Sequence, residues 1–415
     1  MKMNKKKKIL VLSDHALSTS GVGTQTRHLI NGLLEKNEWT FRQFGAAMKH
    51  ADYNTVKIND DFIIKPIDGF GNRDLIRLTL ATEKPDLIFI FTDPRFFIWL
   101  WEMEDEIHQI CPIAYWHVWD NAPFPDFNKK LYESTDTINC HSHLTYKLIS
   151  ENMPEKNRVS FIPHAVPKNI FYKLNKEKIR ELKTSILGEN RKDDFVLIWN
   201  NRNARRKRPG DLLVAWKEFL TKNNVNNATL IMHTDPLDRE GSNLYSLSEL
   251  LGIKDSVFFS KDRLEFDKIN ILYNISDACI NISYAEGFGL STLEAMQTGT
   301  PIIAVKTGGL TRQVIDHRDG SVNGVALNIS MKTMSGSQQV PYIYEDYASI
   351  EDIAEGIFKM YSLDEETKNI LSNKVLEYTD SEFNMNTTIE LWHNSLKDTI
   401  DNWKKDYKSW DITTI

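Results

Sequence analysis

The stretch from Ala278 to Gly309 constrains this chain more than any other. Ala278 to Ser283 is a short apolar run of the kind that forms a buried parallel strand. It passes through Tyr284-Ala-Glu-Gly-Phe-Gly289 into Leu290 to Thr298, whose spacing is helical. Gly299 ends that helix, Pro301 restarts a buried strand, and the block closes on a second glycine pair, Gly308 and Gly309. Gly287 and Gly289 let the backbone approach a ligand closely. The first-turn N–H groups around Leu290 and Ser291 suit a phosphate. Glu286 lies before the turn and Glu294 eight residues later, so one can face a sugar ring while the other accepts hydrogen bonds from ribose hydroxyls. The bare spacing of Glu294 fits an ordinary solvated helix glutamate equally well.

The same alternation runs through the whole chain. Strands are expected at Lys8–Ser13, Phe41–Ala46, Phe62–Ile67, Asp86–Phe91, Ile113–His117, Asp136–Cys140 and Val159–Pro163, with helical patterns between most of them. After a polar, lysine-rich linker from Lys168 to Asp194, a second series follows: Phe195–Trp199, Ala228–His233, Val257–Ser260, Ala278–Ser283, Ile302–Val305 and Val325–Leu327. Two doubly wound parallel sheets result, and ligands gather at the carboxyl ends of their strands. Ile329 to Tyr344, with Ser335-Gly-Ser337 and Pro341, reads as a long surface loop or lid. Ile350–Tyr361 and Glu365–Tyr378 read as helices, as does the tail from Asn384 to Trp410, where Ile389, Trp392, Leu396 and Ile400 recur at three and four residues.

At 415 residues the chain has room for two domains with full cores. The apolar run behind Lys5–Lys8 is too short for a signal peptide, and no run approaches the length of a membrane span. Cys111, Cys140 and Cys279 lie in or beside expected strands, which fits reduced, buried thiols and a cytoplasmic setting. A net charge of −6 argues against a protein that coats nucleic acid while leaving room for a local basic groove. Cys140-His-Ser-His143 mixes ligand types, but a strand would turn both histidines away from Cys140, and no Cys-x2-Cys pair supports a metal site.

The block from Tyr284 to Gly309 resembles the donor-site motif of the retaining family 4 (group 1) glycosyltransferases of GT-B fold. The resemblance spans most of the chain and is strongest from Phe195 to Thr311. It implies two Rossmann-like domains facing across a cleft: an acceptor-side domain over 1–170 and a nucleotide-sugar donor domain over 171–380. A C-terminal helix within 381–415 would cross back to the first domain or dock on its own. It further implies that Gly21, Val22 and Gly23 close over the donor phosphates and that Arg202 and Lys207 hold the diphosphate. His117 would stand at the catalytic centre and stabilise positive charge on the anomeric carbon, with Asp120 as an acceptor-orienting carboxylate or a turn cap. Glu286 would grip the sugar hydroxyls beside the N–H groups of Phe288 and Gly289. Lys261–Leu264, with Arg263, would meet the base. In Phe161-Ile-Pro-His-Ala-Val166, His164 and Ala165 replace the family's usual Asn-Gly, which leaves His164 between a donor contact and a hinge residue.

Without an Asp-x-Asp in a suitable loop, the leaving diphosphate must be neutralised by cations and helix-terminal N–H groups, so no metal or other cofactor is expected. The expected donor is a UDP-sugar. Retention implies front-face attack, with a covalent intermediate on Glu286 as the competing chemistry. A noncatalytic nucleotide-sugar binding protein and a nucleotide-sugar hydrolase or epimerase share the scaffold. For the acceptor, five of the seven residues from Arg202 to Arg208 are basic, so Arg205 and Arg206 offer an anion-receiving surface unless they are solvated or pair with acidic neighbours. The asparagine- and lysine-rich chain also resembles family 4 members encoded by tailed bacteriophages, which makes hydroxymethylated DNA a candidate acceptor beside a glycan. Oligomeric state is not encoded legibly.

Overall fold

The structure, a computed structural model, describes residues 5–50 and 52–407, so the end of the helix expected through Trp410 lies outside the described residues. Two compact units are present. One runs to His164 and takes in Ser337–Pro341 and the chain from Met385 onward; the other comprises Ala165–Gly336 and Tyr342–Asn384.

The first unit is built on eight strands: β1 (Lys7–Asp14), β2 (Trp39–Ala46), β3 (Val56–Lys57), β4 (Phe62–Pro66), β5 (Leu87–Phe91), β6 (Ile113–His117), β7 (Thr137–Cys140) and β8 (Val159–Phe161). Their order is β3-β4-β2-β1-β5-β6-β7-β8, parallel except for the antiparallel edge pair β3 and β4. Both faces are buried, so the strands read as continuous apolar runs. Leu10, Leu12, Ile88, Ile90, Ile113 and Tyr115 point to one core, and Ile9, Val11, Leu87, Phe89, Ala114 and Trp116 to the other. The helix Met385–Asp406 covers the second face. Its Trp392 is wholly buried with its ring centroid 4.8 Å from that of Trp116, a burial contributing about 2–3 kcal/mol. Thr399 bonds Thr137 at 2.6 Å, and Trp39 donates to His393 Nδ1 at 3.0 Å.

The second unit holds β9 (Phe195–Asn200), β10 (Ala228–His233), β11 (Val257–Ser260), β12 (Ala278–Asn281), β13 (Ile302–Val305) and β14 (Gly324–Leu327), all parallel, in the order β11-β10-β9-β12-β13-β14. Leu197, Trp199, Ile280 and Ile303 face one core; Val196, Ile198, Cys279 and Ile302 face the other. Two parallel, helix-covered sheets make this a GT-B fold of two Rossmann-like units. All three cysteines are buried free thiols.

Two local expectations are corrected. The stretch read as a surface loop is an antiparallel hairpin, β15 (Met331–Ser335) and β16 (Ile343–Tyr347), paired from Met331↔Tyr347 to Ser335↔Ile343. Its glycine and proline lie in the connection between the strands, where turn residues belong. The polar linker carries the helix Lys176–Leu187, started by Asn175, which accepts from the Lys178 N–H at 2.8 Å. Its apolar stripe is short, and most of it stays exposed or half-buried, which hid the period.

Candidate active site

The turn between β12 and the helix Leu290–Gln297 is held from several sides. Gly289 starts that helix at φ +94°, a conformation favouring glycine, and no side chain caps the end. Thr292 Oγ1 shares its one proton between Gly289 O, 2.8 Å away, and Gln313 Oε1, 2.6 Å away, while Gln313 donates to Phe288 O at 2.7 Å. Behind the turn, Gly309 donates its N–H to Glu286 O at 2.9 Å. A Cβ on Gly309 would stand 2.5 Å from Gly287 O, so only glycine lets the two turns touch. The N–H groups of Leu290 and Ser291 lie in the first helical turn, where the helix supplies them no acceptor.

Glu286 is buried within this turn. Lys207 Nζ contacts its carboxylate directly, Arg206 Nη1 lies 3.4 Å away, and Ser283 Oγ donates at 3.2 Å. Burial alone would raise its pKa, but the Lys207 and Arg206 charges outweigh it and hold the carboxyl down to about 2. Glu286 is therefore ionised at any working pH. Arg206 also donates to Ala285 O at 2.6 Å. Arg202 is not part of this cluster: it is exposed and clamps Asp238 through bonds of 2.7 and 3.1 Å. Arg208, at φ +54°, is buried and bonded to Asp211 and to Ala348 O. Arg205 is exposed: its carbonyl accepts from Arg208 N at 3.1 Å, while its guanidinium makes no hydrogen bond or ion pair among the described residues.

Glu294 accepts from Tyr273 OH at 2.8 Å, and Tyr273 OH accepts from Asn200 Nδ2 at 2.7 Å. Although the residue keeps some solvent contact, desolvation of its carboxyl exceeds the lowering by Tyr273, and its pKa rises to about 7. Arg263 is exposed beyond β11.

In the first unit, His117 ends β6 and is buried. Its Nε2 shares a 3.0 Å hydrogen bond with Tyr132 OH, its carbonyl is bonded at 2.6 Å to His141 Nδ1, and its own Nδ1 has no partner among the described residues. Burial, then the nearby His141, pushes its pKa down to about 3, so the ring is neutral. Asp120 is half-buried three residues beyond. Gly21 begins the helix Gly21–Leu34; Ser20 accepts from Gly23 N at 3.0 Å, and a Cβ on Gly23 would lie 2.5 Å from His15 O. Val22 follows Gly21 in that turn, half-buried. His164 is buried against Trp116, with ring centroids 4.7 Å apart. The proposed strand placement of His143 is corrected: β7 stops at Cys140 and His143 begins a helix, and no group of three potential metal ligands occurs among the described residues.

Part of the second unit is similar to a known family. Residues 181–329 match the glycosyl transferases group 1 family. The matched stretch contains Arg202, Lys207, Arg263, Glu286 and Glu294. D-inositol 3-phosphate glycosyltransferase 2 of Catenulispora acidiphila is 32% identical over 135 residues, 31% of this chain and 31% of the relative. N-acetyl-alpha-D-glucosaminyl L-malate synthase of Bacillus anthracis is 26% identical over 201 residues, 47% and 49% of the two chains. Among solved structures, sucrose-phosphate synthase from Thermosynechococcus elongatus superposes with a TM-score of 0.73 at 15% identity, covering 95% of this chain and 99% of that one. Anabaena HepE in complex with UDP and glucose gives 0.69 at 17% identity, covering 95% and 100%.

Three residues around the glycine turn escaped the sequence reading. Tyr273 and Asn200 position Glu294, and Asn201 Nδ2 is a buried donor with no partner among the described residues. Asn200 and Asn201 stand at the carboxyl end of β9, where ligands gather in such sheets, and that position was the available signal. Tyr273 gave none, because its hydroxyl is brought to Glu294 only by the packing of two helices.

Proposed function

We propose that this chain is a retaining glycosyltransferase that moves a sugar from a UDP-sugar to an acceptor hydroxyl. The observation that carries the reading is the Glu286 carboxylate, held ionised by Lys207 and Arg206 in a glycine turn at a helix start. An anionic diphosphate entering there meets two cations and the N–H groups of Leu290 and Ser291, while Glu286 accepts from sugar hydroxyls. HepE, whose solved form holds UDP and glucose, supports UDP as the nucleotide. Glu294 takes the ribose hydroxyls, and Arg263 stands with the base-contacting loop.

In the reaction, the bond from the anomeric carbon to the diphosphate oxygen breaks with its electron pair leaving on UDP. The acceptor oxygen bonds the same carbon from the same face, and its proton passes to the departing phosphate oxygen. Ion pairing to Lys207 and Arg206 makes Glu286 a poor nucleophile, which favours this route over a covalent intermediate. His117 is assigned to the transition state. Its carbonyl is engaged by His141, so the neutral ring carries the role, and a neutral ring does not repel positive charge on the sugar. Gly21, Val22 and Gly23 retain the phosphate-loop role and Asp120 the acceptor-orienting one. Lys207 remains the diphosphate lysine, and Arg202 joins it only by leaving Asp238.

The acceptor is either a glycan-type hydroxyl or, if the chain is phage-encoded and acts in a host cytoplasm, a hydroxymethylated base in DNA. Release of UDP from a panel of UDP-sugars, with sugars or hydroxymethylcytosine duplex as acceptor, tests the reading. Anomeric configuration of the product is read by proton couplings. Donor binding without UDP release under any acceptor would leave a noncatalytic binding protein. Release that ignores acceptors would leave a hydrolase, and an inverted anomer would end the front-face route.

A further inference from the structure

The carboxyl edge of the second sheet carries a polar row that the roles above use only in part. On one face of that sheet, Ile198, Ile231 and Phe258 stand in register on β9, β10 and β11. Two residues further, where the strands end, the same face turns polar on all of them: Asn200, His233 and Ser260 are again in register. Asn200 Nδ2 donates to Tyr273 OH at 2.7 Å, and Tyr273 OH donates to Glu294 at 2.8 Å. Ser260 Oγ shares a 2.9 Å hydrogen bond with His233 Nδ1. The other ring nitrogen, His233 Nε2, makes no hydrogen bond among the described residues, and the side chain is only half-buried. Burial lowers the pKa of the ring, so it is neutral and holds one N–H and one lone pair.

The order of the strands says what meets that nitrogen. The sheet runs β11-β10-β9-β12, and its winding reverses between β9 and β12, the crevice where such sheets take ligands. On the proposed function the diphosphate lies at the helix start that follows β12. The ribose lies on Glu294, which Tyr273 and Asn200 tie to the end of β9. From phosphate to ribose the nucleotide therefore runs from β12 towards β9. Its base, on the far side of the ribose, continues over β10, one strand spacing of about 4.8 Å beyond β9. His233 is the residue at that strand end, and Arg263 follows on the loop after β11. The Ser260 hydroxyl can give or take the Nδ1 proton, so Nε2 meets a base carbonyl as an N–H or a base N–H as a lone pair. A uracil edge carries both groups.

We propose that His233 is a base-binding residue of the donor site, hydrogen-bonding the uracil edge through Nε2 while Ser260 holds the ring in place. This rests on the glycosyltransferase reading and adds a residue to its nucleotide contacts. The nucleotide is then met in order along the sheet edge: its charge at the turn after β12, its ribose at Glu294, and its base at the end of β10.

The test is calorimetric titration of UDP and of inorganic diphosphate into the full chain, for wild type, His233→Phe and His233→Gln. Phenylalanine keeps a flat ring without a nitrogen, and glutamine restores a hydrogen-bonding group near the place of Nε2. UDP should bind about tenfold more weakly to His233→Phe and regain part of that loss in His233→Gln, while inorganic diphosphate binds all of them alike. In nitrogen NMR of the histidine-labelled chain, the Nε2 resonance that is missing from His233→Phe should move when UDP is added to wild type and hold still with inorganic diphosphate. Wild-type UDP affinity in His233→Phe, an equal loss for both ligands, or an Nε2 resonance that UDP leaves in place would each overturn the assignment. Failure of UDP to bind the wild-type chain removes the donor reading itself, whereas UDP binding that ignores His233 removes only this one.

Discussion

The strand ends of the two sheets prepare opposite kinds of group. Beyond β9 and β12 the second unit sets a carboxylate against two cations, and the charges are held in place by the fold itself. At the end of β6 the first unit keeps a ring neutral by burying it between Tyr132 and His141. Both are polar sites in low-dielectric surroundings, yet one is stabilised by charge compensation and the other by refusing charge altogether. On the proposed function, the contrast would follow the division of labour in sugar transfer. A diphosphate brings negative charge that needs partners in the ground state, whereas positive charge on the sugar exists only in the transition state.

The comparison breaks most visibly at Glu286. Glu286→Gln keeps the shape and removes the charge, and turnover should fall by about three orders of magnitude. Lys207→Met leaves a buried carboxylate short of its main cation and should lower stability by about 3 kcal/mol in chemical denaturation, with the folded chain still recognisable by circular dichroism. The pH sign is fixed. The folded pKa of Glu286 is about 2 against an ordinary 4.5, so its contribution is present above about 4.5 and disappears as pH falls through that window. If Lys207→Met were as stable as wild type at pH 7, the ion pair would be a surface contact and the contrast between the units would fail.

His117→Ala should come next, lowering transfer by about two orders of magnitude while UDP affinity stays nearly intact. Because the ring titrates near 3, the wild-type rate should show no histidine limb between pH 6 and 8. Wild-type turnover in His117→Ala would return the ring to a packing role beside Tyr132.

The sheets were legible because strands buried on both faces write themselves as apolar runs, and the glycine turn because Gly289 must take a positive φ that other residues resist. What stayed hidden was set by distant partners. Arg202 and Lys207 are five residues apart and share a chemistry, but Asp238 draws one away and Glu286 holds the other, and neither choice has a sequence period. The hairpin was hidden differently: its strands bracket a connection rich in turn residues, which set the tone of the whole stretch. The two-residue β3 was missed for lack of length, since two residues have no alternation to read.

The smallest expected effect sharpens the comparison at Glu294, which shares the second unit with Glu286 but has the opposite titration. Desolvation lifts its pKa to about 7, with Tyr273 the only hydrogen-bond donor among the described residues seen to offset it. Between about 4.5 and 7 the folded chain therefore holds a proton that the unfolded chain has lost, so this group's effect on stability declines as pH rises through that window. Ribose hydroxyls donate best to the ionised carboxylate, so nucleotide binding competes with that proton. UDP affinity should rise by about tenfold from pH 6 to pH 8, the change in ionised fraction for a group titrating near 7, and binding at pH 7 should release protons. Calorimetry in buffers of different ionisation enthalpy measures the release directly. Glu294→Ala should bind UDP more weakly, and both the pH slope and the proton release should vanish with it. A slope that survives in Glu294→Ala would assign the proton elsewhere, to the UDP phosphate itself, and would leave Glu294 as the anchor of Tyr273 alone.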